Sequence, residues 1–147
     1  VGIGKRGEVK KRKSYVPVAK IKNALRRIHM HDKQRTKAKA KCKADVATYK
    51  CESCSLLIYE GVSDKRYEEL KENWNSVGKD LVRGKLELDH KVPVVDVKIG
   101  YADWNTYIER LYCGPDDYQG LCRDCHADKS AKEAGERKDS GSLKRKK

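Results

Sequence analysis

Phenylalanine is absent from this 147-residue chain, methionine occurs once, and tryptophan twice. Only 37% of the residues are hydrophobic, while 39% are charged. So little apolar material excludes a large self-sufficient core and points to one small domain that needs a staple. No apolar run reaches the length of a transmembrane helix or a signal-peptide core, so no membrane role is expected. The polar, basic start of the chain agrees, and a cytoplasmic setting is expected. Thiols stay reduced there, so paired cysteines read as metal ligands before they read as disulfides.

What the chain has in excess is positive charge, +13 in all. Residues 1–50 hold 17 Lys and Arg against Glu8, Asp32 and Asp45, whereas the remainder is nearly neutral. A basic third attached to a neutral body reads as an arm that seeks phosphate, with a solubilising tail as the plain alternative. Lys10, Lys11, Arg12 and Lys13, together with Arg26, Arg27 and Lys129, are candidate nucleic-acid contacts.

Gly and Lys dominate residues 1–17, predicting a flexible arm. Val18, Ile21, Leu25 and Ile28 recur at helical spacing, and the Ala/Lys-rich stretch after them predicts helix up to the first cysteine pair. Tyr67, Leu70 and Trp74 share a face of a further helix between Gly61 and Gly84. Alternation in KLELDHKVPVVDV predicts a short hairpin, with Pro93 at an edge. Asp103 is placed to cap a helix carrying Trp104, Ile108 and Leu111 on one stripe. GPDDYQG reads as turn, a last helix starts near Cys122, and SGSLKRKK reads as a frayed tail. There is no internal repeat.

Cys51-Glu-Ser-Cys54 and Cys122-Arg-Asp-Cys125 are two C-x-x-C knuckles. Two-residue spacing lets both thiolates of a pair face one ion, and two pairs complete a tetrahedral zinc site. Inert or redox thiols are the competing reading. Cys122 to His126 also spells the C-x-x-C-H string of covalent haem attachment, but haem leaves the first pair without a use. Cys42 and Cys113 read as ordinary thiols.

Asp89-His90 closes the first strand of the expected hairpin, and His126 directly follows the second knuckle. A carboxylate and two imidazoles on rigid elements suit hydrolysis of a phosphodiester. A divalent ion would neutralise the phosphate while a neutral His takes a proton from water. Adjacent strand residues point to opposite faces, so Asp89 and His90 need local twist to serve one site. His29 and His31 read as surface residues.

Taken together, LDHKVPVVD, WNTYIERLYC, YQGLCRDCH and ADKSAKE resemble the HNH endonuclease family, in particular the zinc-bearing HNH proteins encoded by bacteriophages. IKNALRRIHMHDKQRTKAKAKCKADVATYKCESC is similar to the helical lead-in of those proteins. The resemblance spans roughly residues 20–137. It implies an α+β fold built on a ββα-metal motif, with a four-cysteine structural zinc and an N-terminal basic helical arm. The implied division is a basic arm at 1–17, a helical lead-in at 18–50, the zinc-stapled nuclease domain at 51–137 and a basic tail at 138–147.

The resemblance further implies His90 as general base, Asp89 and His126 as ligands of a catalytic cation, and Cys51, Cys54, Cys122 and Cys125 as ligands of a separate zinc. Its activity is cleavage of DNA to 5′-phosphate and 3′-hydroxyl ends. Carboxylate plus imidazole suits Mg²⁺, Mn²⁺, Ni²⁺ or Zn²⁺. The family's middle Asn is replaced here by Asp117, and Asn105 falls too early in the pattern; a further ligand near Ser130 is allowed. DNA is the expected partner, phage packaging proteins are a second, and for a phage protein the setting is the host cytoplasm. Two rival readings remain at this stage: a non-catalytic zinc module that binds nucleic acid, and a phage assembly partner that uses the fold without cutting.

Overall fold

The computed structural model of the chain describes residues 15–145, so Lys10, Lys11, Arg12 and Lys13 lie outside the described residues. The fold is mixed α+β, with two small sheets joined by the cysteine cluster. Helix α1 spans Val18–His29 and α2 spans Lys33–Lys41. Strands β1 (Lys43–Asp45), β2 (Thr48–Lys50) and β3 (Leu57–Tyr59) follow as an antiparallel meander. Helix α3 (Asp64–Ser76) then crosses to β4 (Leu81–Arg83), which lies parallel to β3. Strand β5 (Glu87–His90) leaves that sheet, α4 (Trp104–Leu111) intervenes, and β6 (Tyr118–Leu121) returns antiparallel to β5. Helix α5 (Arg123–Arg145) closes the chain.

Strand β3 organises the first half because all three of its residues are buried. Leu57 and Tyr59 pack with Leu70 of α3 and Leu81 of β4. Ile58, on the other face, joins Cys42, Cys51, Leu86, Leu121 and Cys122 in a second core. That two-sided role follows from the period-two alternation of a strand. Helix α3 carries Leu70 inward with Tyr67 and Trp74 beside it, as their spacing predicts. Ser63 caps its start through Oγ, which accepts from Arg66 N at 3.3 Å. Asp103 caps α4 likewise, accepting from Thr106 N at 2.8 Å. Among the described residues no helix is long and apolar enough to cross a membrane.

Four expectations from the sequence need correction. The lead-in is not helical up to the knuckle. Asp32 caps a new helix after a break, accepting from Gln34 N at 2.7 Å. Residues 43–50 then form the β1–β2 hairpin, where Asp45 Oδ1 binds Val46 N and Thr48 Oγ1 binds Val46 O. Asp and Thr compete locally for the backbone, and pairing of β2 with β3 overrides the helix propensity of Ala and Lys.

The second correction concerns KLELDHKVPVVDV. Its β5 pairs with Tyr118–Leu121 and not with residues 92–97, where Pro93 lacks the N–H a ladder needs. Third, the buried stripes shift. Ile28 is 64% exposed while His29 is only 2% exposed, and on α4 Tyr107 replaces Ile108 among the buried residues. Fourth, α5 runs on past Ser140 to Arg145, where fraying was expected.

Candidate active site and metal centre

Cys51, Cys54, Cys122 and Cys125 converge so that their four sulfurs lie within 4.8 Å of one another. Cys54 Sγ and Cys122 Sγ are 3.7 Å apart. A tetrahedron with Zn–S bonds of about 2.3 Å has edges of about 3.8 Å, so the spacing suits zinc. The first knuckle is closed by Ser55 N donating to Cys51 O at 2.9 Å, with Ser55 itself at φ 64°.

Glu52 ties the knuckles together. Its N–H donates to Gly120 O at 2.9 Å, and its carboxylate accepts from Gly120 N at 2.5 Å. Gly120 is packed so closely that a Cβ would stand 2.5 Å from Cys42 Sγ and 2.9 Å from Leu86 Cδ2, and those side chains would have to shift to admit it. The sequence reading missed both Glu52 and Gly120; the long gap between the pairs hid their contact.

Burial alone would push the Cys51 thiol up, but N–H groups of Cys54, Cys122 and Ser53 outweigh it and bring the pKa down to about 7. At Cys125 the Ser53 hydroxyl favours the thiolate, yet the Cys122 and Cys54 sulfurs outweigh it and push the value up to about 12. Four neighbouring thiols cannot all ionise without a cation, whereas zinc would favour that state. Cys42 behaves as an ordinary buried thiol. Burial, then the Glu52 carboxylate, pushes it up to about 11.

The ribbon β5–β6 leads from this centre to the chemical residues. Asp89 faces Gln119, and His90 faces Tyr118. Ideal strand geometry would send adjacent residues to opposite faces, yet Asp89 and His90 both border one cavity at the end of β5. Asp89 Oδ2 meets Lys129 Nζ of α5 at 2.6 Å. His90 Nε2 lies 2.9 Å from Leu111 O at the end of α4. A carbonyl only accepts, so the proton of neutral His90 sits on Nε2 and the lone pair on Nδ1. Burial lowers the His90 pKa below its ordinary 6.5; the Leu111 bond and Asp89 oppose that shift without reversing it.

His29, expected at the surface, is the residue that sequence reasoning placed worst. Its ring stacks on His90 at 5.2 Å, stands edge-on to Tyr112, and shares a 2.6 Å hydrogen bond with Tyr118 Oη. Tyr118 Oη also donates to Leu111 O at 3.3 Å. The carbonyl that orients His90 is thus shared with a hydroxyl held by His29. Burial and the nearby Arg35 guanidinium depress the His29 pKa to about 4. The signal available in sequence was only its position, one residue past an apolar stripe.

A cavity of about 290 Å³ opens over this group, and Arg26, Arg35, Asp89, His90, Lys129 and Arg137 border it. Lys129 also bridges to Glu133 at 2.5 Å and donates to His90 O at 3.1 Å. Arg26 Nε donates to Tyr107 Oη at 3.2 Å, and Arg27 is exposed on α1. His126 sits in the first turn of α5 with Nδ1 2.6 Å from Glu87 Oε2. Asp117 ends a 3₁₀ turn, where its side chain accepts from Gly114 N at 3.2 Å and its carbonyl from Lys91 N at 2.8 Å. Asn105 and Ser130 are exposed on α4 and α5.

Among the described residues, the cysteines are the only cluster of three or more metal-binding side chains. Asp89 and His126 lie on facing elements, but each is engaged by another partner, Lys129 and Glu87 respectively. Compared with protein-family models, curated proteins and solved structures, the chain finds no significant match.

Proposed function

We propose that this protein is an endonuclease of the HNH kind that hydrolyses DNA phosphodiester bonds. The observation that carries the reading is His90 itself. Its Nε2 is pinned by the Leu111 carbonyl, its pKa is lowered by burial, and it borders a cavity that also holds Asp89, Arg26, Arg35, Lys129 and Arg137. A neutral imidazole with Nδ1 as acceptor suits removal of a proton from an attacking water. The cations around it suit a phosphate whose charge grows in the transition state. The order β5, β6, α5, with two of the four clustered cysteines at the β6–α5 junction, supports a rigid frame for these groups once zinc is bound.

Asp89 and His126 are the donors available for a catalytic cation. One carboxylate and one imidazole suit an ion that completes its shell from water and phosphate oxygens. Such an ion would stabilise the leaving oxygen, and Lys129 would have to move off Asp89 to admit it. Lys129 would then keep its bridge to Glu133 at the edge of the cavity, within reach of a phosphate there.

The second reading is a zinc module that binds nucleic acid without cutting it, and the Asp89–Lys129 pair favours it, because that carboxylate is already neutralised. Partnership with phage packaging proteins extends from the same resemblance and rests on no further contact. Supercoiled plasmid incubated with the purified chain in Mg²⁺, Mn²⁺ or EDTA separates the readings. Metal-dependent nicking or linearisation supports the nuclease. Retardation of the plasmid with no cutting in any ion sinks it and favours the module.

A further inference from the structure

Beyond the cavity at His90, a second one of about 550 Å³ opens toward the start of β5, beside His126. Arg35, Thr36, Lys39, Lys85, Glu87 and His126 border it. Arg35, Met30 and Leu88 border both cavities, so the two adjoin along β5, meeting at Leu88. The second carries three cationic side chains against the single carboxylate of Glu87, which His126 already engages. Lys39 is committed to Glu60. Arg35 and Lys85 form no ion pair with the described residues, and Lys85 is exposed in the bend between β4 and β5.

An exposed lysine alone signifies little, because a charge without a partner is usually solvated. Here the position is what matters. Lys85 and Arg35 flank a concave, net-positive surface continuous with the cavity holding His90. A polyanionic chain with a phosphate at His90 has to leave that cavity on some side, and Arg35 stands on the boundary with the second.

We propose that the second cavity holds the DNA backbone flanking the scissile bond, with Arg35 shared between the two positions and Lys85 as the cation of the flanking phosphate. The proposal rests on the nuclease reading for the identity of the first position. Its own content is the part of a track along β5 that lies beyond Leu88, which no cysteine, Asp89 or His90 borders. The chemistry it recognises is phosphodiester charge, so it contributes affinity and register without reading bases.

The test is equilibrium binding of the full, zinc-loaded chain to a fluorescent duplex of 30 base pairs in Ca²⁺-free, Mg²⁺-free buffer across a salt series. Lys85→Ala should make the plot of log affinity against log salt shallower by about 0.9 and weaken binding about 8-fold at 0.1 M salt. Lys85→Arg should restore most of the loss. Lys65→Ala, an equal loss of charge on the exposed face of α3, should leave the slope unchanged. A Lys85→Ala slope equal to that of wild type or of Lys65→Ala overturns the track. The plasmid assay stays independent: cutting with an unaltered Lys85→Ala slope removes the track and leaves the nuclease. A lost slope in a chain that never cuts removes the nuclease and leaves a DNA-binding groove.

Discussion

The ring of His29, from the end of α1, stacks on the ring of His90, at the end of β5, with centroids 5.2 Å apart and planes 28° from parallel. The basic lead-in therefore does more than carry charge, since it walls one side of the candidate base. His29 is held neutral by its burial, so it can lie beside neutral His90 and Arg35 without adding a second positive charge to that of Arg35.

That neutrality has a measurable consequence. Unfolded, His29 takes up a proton near pH 6.5; folded, it resists until about 4. The unfolded chain thus binds more protons between those values, and this residue's contribution to stability falls as pH drops through that window. The full loss is on the order of 3 kcal/mol, reached near pH 4. Urea unfolding of zinc-loaded protein from pH 7 to 5 should show wild type losing stability faster than His29→Phe, which keeps a ring but not the titration. Parallel curves for the two proteins would show that His29 is not held neutral by the fold.

The cysteine centre makes a different demand. Zinc held by such thiolates contributes roughly 10–16 kcal/mol to folding in small metallo-domains, more than a core as sparse as this one supplies. Purified protein should hold one zinc per chain through mild EDTA treatment, as measured by metal analysis. Cys122→Ser, which removes a buried ligand at the junction of β6 and α5, should lose its cooperative unfolding transition. A metal-free Cys122→Ser protein that still unfolds cooperatively near the wild-type midpoint would refute a folding role for the ion.

Gly120 is where the two knuckles are pressed together, and it gives a test that spares every ligand. A Cβ there would meet the Cys42 sulfur at 2.5 Å and Leu86 at 2.9 Å. Gly120→Ala should cost about 1–3 kcal/mol by overpacking, read as a lower urea midpoint at unchanged zinc content. Gly120→Ala combined with Cys42→Ala should recover part of that loss, because the sulfur is the nearest obstacle. No recovery in the double variant would place the strain elsewhere.

These residues mark how far the sequence could be read. Helix α3, the Asp103 cap of α4 and the grouping of the four cysteines were legible, because each follows from local spacing or ligand chemistry. The partner of β5 was not. Its ladder joins residues separated by all of α4, and the turn residues GPDD drew attention away from the strand YQGL that follows them. The burial of His29 was hidden for a related reason. Which face of α1 turns inward is decided by Tyr112 and Tyr118, far along the chain, and not by the helix's own apolar stripe. Glu87, paired with His126, and Glu52, bridging the knuckles, were equally invisible as partners.

The decisive prediction concerns His90, because a catalytic base and a bystander in a DNA-binding groove respond differently to its loss. If Nδ1 accepts the proton of water, His90→Ala should reduce the single-turnover cleavage rate by roughly 10²–10⁴-fold. Zinc content should be unchanged, since His90 touches Leu111, His29 and Tyr118 and none of the four cysteines. DNA affinity should stay close to wild type, because a neutral ring supplies no charge to phosphate. His126→Ala should fail in another way: weaker apparent affinity for the activating ion, with partial recovery at raised Mn²⁺, which His90→Ala should not share. Burial places the His90 pKa below 6.5, so loss of wild-type rate on acidification should begin lower than for an ordinary imidazole. Cleavage by His90→Ala at the wild-type rate would falsify its assignment as the base, even in a chain that proves to be a nuclease.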